Sequence, residues 1–185
     1  MLSKKFLLEF PELRQCFNYS CGASALQSIF TYYGTDERED TIMKLLDKES
    51  KDLKNNGADI KAMKAVALEY GYECVIEYDL PILTLKTLIS KKIPVILILQ
   101  AWHEEKPFDY KESYVDGHYV IAIGWNNDRI IFEDPLSYNR VYLTEKELAN
   151  RWHAIDDKGN PDPRSVSIII DGEPNFDQHL ITRLG

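Results

Sequence analysis

The stretch Gly117–Asp134, GHYVIAIGWNNDRIIFED, constrains the fold more than any other part of the chain. Two apolar, β-branched runs, GHYVIAIGW and RIIFED, flank Asn126, Asn127 and Asp128, and polar turn-formers between such runs signal a β-hairpin. A third run, PVILILQ at 94–100, is continuous rather than alternating and predicts a strand covered on both faces. A buried sheet therefore occupies the middle of the chain, and the remaining segments have to cover it.

The first 71 residues supply helices. Leu26, Ile29, Phe30 and Tyr33 recur at three- and four-residue spacing and stop at Gly34, which predicts a helix beginning at Cys21 and buried along that stripe. Ile42, Leu45 and Leu46 mark a second helix over 39–48. A third, over 60–70, follows Asp59 as N-cap, ends at Gly71 and turns Met63, Ala67 and Tyr70 inward. YECVIEY then alternates as a strand, 83–92 is a short helix, 103–116 a polar loop, 144–152 a last helix and RSVSIII a last strand. Helices first and a mainly antiparallel sheet afterwards predict an α+β fold. At 185 residues a single domain is expected, with a core over about 11–170 and a peripheral tail over 171–185.

Charge and cysteine usage narrow the function. Lys plus Arg number 22 against 30 for Asp plus Glu, a net charge of −8, and no basic run could follow a phosphate backbone, so a nucleic-acid partner is excluded. The N-terminal MLSKKFLLEFP is interrupted by Glu9 and Pro11 before a signal core is complete, which predicts a cytoplasmic chain. The longest apolar run, 93–102, has about half the residues needed to span a bilayer, so no integral membrane segment is expected. Three cysteines, an odd number, argue against a disulfide framework; they form no C-x-x-C, and His103-Glu104-Glu105 is not H-E-x-x-H, so neither a metal nor another cofactor is expected.

Chemistry concentrates at two places. Cys21 stands where the chain enters a helix, and the unpaired N–H groups and positive dipole end there favour a thiolate. His118 opens the most apolar strand, whereas His103, His153 and His179 lie in polar or terminal surroundings that predict solvated side chains. With the hairpin turn centred on Asn126, His118 falls directly across from Asp134 on one face, so a carboxylate could orient the imidazole toward a thiol. Gln15 could donate from its side-chain amide to an oxyanion, together with the backbone N–H of Cys21. Each residue taken alone has an ordinary structural use: a small buried thiol, a strand-end histidine, an Asp-Pro turn and a loop glutamine.

Together these motifs resemble a known family. Gln15, then Cys21-Gly22-Ala23, a helix ending in YYG, GHYVIAIG and RIIFEDP are similar, in that order, to the C39 and C39-like peptidases, cysteine peptidases of papain-like fold. The resemblance covers about 11–137 and implies a stand-alone domain with N-terminal helices packed on a mainly antiparallel sheet. It implies Cys21 as nucleophile, His118 as base, Asp134 as orienting carboxylate and Gln15 as oxyanion donor, acting on a peptide or protein substrate; Cys16 is expected to be a bystander. A peptide-binding module without turnover, or a transferase using the same thiol, are the alternatives. Ser20 stands where exporter peptidase domains usually carry an acidic residue, and the acidic loop 102–117 departs from them in length.

Overall fold

The computed structural model describes residues 5–181 and 183, apart from 51, 106 and 157; expectations for residues 1–4, 182, 184 and 185 lie outside the described residues. In chain order the elements are β1 (Lys5–Leu7), α1 (Cys21–Tyr32), α2 (Glu39–Glu49), α3 (Leu53–Asn56), α4 (Ile60–Glu69), β2 (Glu73–Tyr78), α5 (Ile82–Ser90), β3 (Val95–Gln100), β4 (Gly117–Asn126), β5 (Arg129–Glu133), β6 (Val141–Thr144), α6 (Glu145–Arg151), β7 (Ala154–Ile155), β8 (Pro161–Asp162) and β9 (Val166–Asp171).

One sheet runs β2-β9-β3-β4-β5-β6, with β1 added alongside β4, and every pairing in it is antiparallel. This is the α+β architecture the pattern predicts. Helix α4 starts as expected, Asp59 accepting from the N–H groups of Lys61 and Ala62, and α6 carries a reciprocal capping box between Thr144 and Glu147. Periodicity did not reveal β1, α3, β6 or the β7–β8 pair, all four residues or shorter.

Helix α1 departs from the expected stripe, being buried nearly all round. Its first turns are small residues, and close approach is the reason: a Cβ on Gly22 would stand 2.7 Å from the Ala58 Cβ and 3.3 Å from the Tyr119 ring. The sheet is covered from both sides. Tyr119 turns toward α1 and donates to the Ala58 carbonyl, while the next residue, Val120, faces a cavity beside α6. Beyond β9 the tail is tied down rather than loose, Asn175 donating to the Tyr32 carbonyl and Phe176 packing on the core.

The hairpin register differs from the expectation. The turn is Asn127–Asp128, with Asn127 at φ 56°. Gly124, Trp125 and Asn126 pair with Ile131, Ile130 and Arg129, but Ala122 and Ile121 pair with Phe132 and Glu133, so Ile123 is the extra residue of a β-bulge. Continued to the strand end, this ladder sets His118 opposite position 136, and Asp134 lies diagonally across, two residues away on the same face. Without the bulge the pairing parity would invert and Asp134 would face the other side of the sheet. Strand β1 and the residue after it hold the bulge: Leu8, just past the strand, donates to the Ile123 carbonyl at 2.9 Å, and Gly124 sits so close to β1 that a Cβ there would lie 2.6 Å from the Phe6 carbonyl oxygen.

Candidate active site

Cys21 is the first residue of α1, and no acidic side chain in the first turn competes for the helix dipole. The turn ahead of it is closed by Ser20, whose hydroxyl donates to the Phe17 carbonyl and accepts from the Phe17 N–H. The packing of Gly22 on Tyr119 brings this helix start to the beginning of β4, where His118 stands.

His118 Nε2 lies 2.7 Å from Asp134 Oδ1, and both side chains are buried. With that nitrogen donating to the carboxylate, the other ring nitrogen is left for the Cys21 thiol, and the two groups shift each other's titration. Burial opposes a charged imidazole, but the hydrogen bond His118 donates to Asp134, its interaction with Cys21 and the charges of both partners win, lifting the His118 pKa to about 9. Burial likewise opposes the Cys21 thiolate; His118, helped by the backbone N–H groups of Tyr119 and Gly22, overcomes it and holds the thiol below its ordinary range. Asp134 is held below the ordinary carboxylate range despite its burial, by His118, the Leu136 N–H at 2.9 Å and the Trp102 indole N–H at 2.9 Å. The three groups thus form a buried relay biased toward thiolate and imidazolium.

Trp102 was not picked out from the sequence. It sits just past the clamp where β3 and β4 end, Ala101 donating to the Asp116 carbonyl and Asp116 N–H donating to Gln100 Oε1. Its backbone is left-handed at φ 62°, a conformation that costs a bulky residue about 1–3 kcal/mol and here turns the indole onto Asp134. The loop that follows is built rather than solvated. His103 pairs with Asp116 at 2.8 Å and stacks on Phe108 at 3.5 Å between centroids, and His153 is buried, donating to the Ser113 carbonyl. The expectation of solvated side chains at His103 and His153 is therefore corrected; His179 remains at the surface.

Gln15 is placed beside the Asp134 segment. Its backbone N–H donates to the Pro135 carbonyl at 3.0 Å, and its neighbour Arg14 pairs with the buried Glu133, which Arg140 also bridges at 3.2 Å. Two adjacent residue pairs, Arg14-Gln15 and Glu133-Asp134, are thereby stitched together across the site. The Gln15 amide donates to the Phe17 carbonyl at 2.7 Å, leaving one amide N–H uncommitted and the side-chain oxygen buried without a partner. Cys16 is exposed, and a hydrogen bond to Glu39 raises its pKa, opposite in direction to Cys21. Cys74 is buried far up the sheet on β2, and burial pushes it to about 11. Among the described residues no group of three or more His, Cys, Asp or Glu is arranged to hold a metal ion, and no helix is long and apolar enough to cross a membrane.

Several solved structures share this arrangement of elements. The peptidase domain of Streptococcus ComA, a bifunctional ABC transporter, superposes with a TM-score of 0.59 at 17% identity over 87% of this chain and 97% of that one. A double-glycine-motif protease from an AMS/PCAT transporter, solved with its leader peptide, gives 0.63 at 16% identity over 90% and 94%. A C39-like peptidase from Bacillus anthracis gives 0.64 at 16% identity over 92% and 99%. At these identities the likeness is one of fold. No curated protein sequence matches the chain. Residues 7–160, the greater part of the 185, match the family model described as Peptidase_C39 like, and the chain belongs to that family.

Proposed function

We propose that the protein is a cysteine peptidase with Cys21 as nucleophile, His118 as general acid and base, and Asp134 as the group that orients His118. The observation that carries this reading is the buried relay from a helix-start thiol through an imidazole to a carboxylate. The Cys21 thiolate attacks the substrate carbonyl carbon, and the carbonyl electron pair moves to oxygen, facing the Cys21 N–H and the uncommitted amide N–H of Gln15. As the C–N bond breaks, the leaving amine takes its proton from His118. Water, deprotonated by His118, then attacks the thioester and frees the carboxylate product and the thiolate. A peptide is the substrate class supported by family membership and by the structural neighbour solved with its leader peptide. Three free thiols suit a reducing compartment such as the cytoplasm.

The test is alkylation. Iodoacetamide near pH 6 should label the buried Cys21 in preference to the exposed Cys16, because only the former is held as thiolate. Cys21→Ala should abolish peptide cleavage outright. Labelling of Cys21 that begins only around pH 8.5, as for an ordinary thiol, would sink the peptidase reading and favour a peptide-binding domain without turnover.

A further inference from the structure

A cavity of about 430 Å³ lies behind the His118–Asp134 pair, between the segment after β3, strand β6 and the end of α6. Its floor is Leu99, Val120 and Phe132 from three adjacent strands, Val141 and Phe108 form walls, and Trp102 and Asp134 close one end. The volume falls in the lower part of the range of ligand pockets, enough for one or two side chains. The carboxylate and amide groups on its lining are already engaged, and the one cation among the described lining residues is stacked on a ring. Asp134 accepts three hydrogen bonds, Gln100 uses both ends of its amide on Asp116 and His153, and Arg151 lies 3.7 Å from the centroid of the Tyr110 ring. An occupant over the floor of Leu99, Val120 and Phe132 therefore gains chiefly from apolar burial.

Direction comes from the chemistry. The leaving nitrogen must sit at His118 to be protonated, so the substrate on that side of the scissile bond continues away from Cys21. The hydrogen-bonded line from His118 through Asp134 to Trp102 points from the nucleophile to the near end of the cavity. Half-exposed Trp102 stands between the two.

We propose that this cavity is the subsite for a large apolar side chain, aliphatic or aromatic, among the first residues after the scissile bond. The assignment rests on the peptidase reading. The test incubates the full chain with a randomised peptide library and identifies the new N-termini by mass spectrometry. Leu, Ile, Met, Phe, Tyr and Trp should be enriched roughly tenfold over Ser and Gly at one of the first positions after the cut, the gain expected from burying a large apolar side chain. Val141→Trp, whose indole would fill the cavity, should flatten that enrichment, and Phe108→Ala, which removes a wall from a loop without touching the sheet, should reduce it. Cleavage with no enrichment overturns the subsite and leaves the peptidase reading standing. An uncut library overturns the peptidase reading instead, and the cavity is then decided by calorimetry on Cys21→Ala with paired peptides bearing Phe or Ser near the N-terminus. Tighter binding of the Phe peptide by roughly tenfold, lost on adding Val141→Trp, upholds an apolar side-chain site; equal binding overturns it.

Discussion

Replacing Asp134 by Asn tests the relay most directly, because charge and hydrogen-bond capacity change while shape is kept. The His118 proton is held to about 9 rather than the ordinary 6.5, which corresponds to roughly 3 kcal/mol in favour of imidazolium. Asp134 and Cys21 share that preference, so removing the carboxylate charge forfeits on the order of half of it. Geometry adds a second loss. One Asp134 oxygen accepts from His118 and Leu136 and the other from Trp102; an amide can accept on one side only, so one buried donor then meets a second donor at about 1–3 kcal/mol. Together these approach 3–4 kcal/mol, or ~10²–10³-fold in kcat/KM. The sign in pH follows. The carboxylate raises the His118 pKa, so in Asp134→Asn the imidazolium is lost at lower pH and the alkaline limb of turnover moves down from about 9. The thiolate loses its partner, so the Cys21 pKa moves up toward the ordinary thiol value and labelling near pH 6 slows by about tenfold. Alkylation rate against pH, read on wild type and variant after circular dichroism confirms that both are folded, is sufficient to decide. Superimposable profiles would refute the orienting role.

Gln15→Ala should lower turnover roughly 10²-fold while leaving the Cys21 alkylation rate unchanged, since alkylation develops no oxyanion; equal losses in both would mean that Gln15 only holds the loop. Trp102→Phe removes the indole hydrogen bond to Asp134 and should reduce kcat/KM by about tenfold with both pH limbs kept, in contrast to Asp134→Asn. Gly124→Ala places a Cβ against the Phe6 carbonyl, where backbone must move, and should cost about 1–3 kcal/mol, seen as a melting temperature lower by ~2–4 °C per kcal/mol; an unchanged melting curve would show that β1 does not hold the bulge.

The elements that could be read along the chain are those whose stabilising pattern is local. The start of α1 at Cys21, the Asp59 cap of α4 and the unbroken β3 run are each set within one element, and the structure places them as read, although α1 is buried nearly all round rather than along one stripe. The candidate residues were equally visible: a cysteine at a helix start, a histidine opening a buried strand and an aspartate closing its hairpin partner announce their positions by type and neighbours. Short elements escaped, because β1 and β6 have too few residues to show a period.

Whether those residues meet was decided by tertiary structure. Cys21, His118 and Asp134 and their places on helix and hairpin follow from the sequence alone. That His118 and Asp134 share a face depends on the bulge at Ile123, and the bulge persists because a segment more than a hundred residues earlier in the chain binds it, Leu8 donating to its carbonyl and Phe6 and Leu7 of β1 filling the space a side chain on Gly124 would need. The left-handed turn that sets the Trp102 indole on Asp134 and the bond from the Gln15 backbone to Pro135 are likewise outcomes of long-range closure. Side-chain pattern repeats every two or four residues and carries propensity; register parity and the filling of space are properties of segments that meet only after the chain has folded.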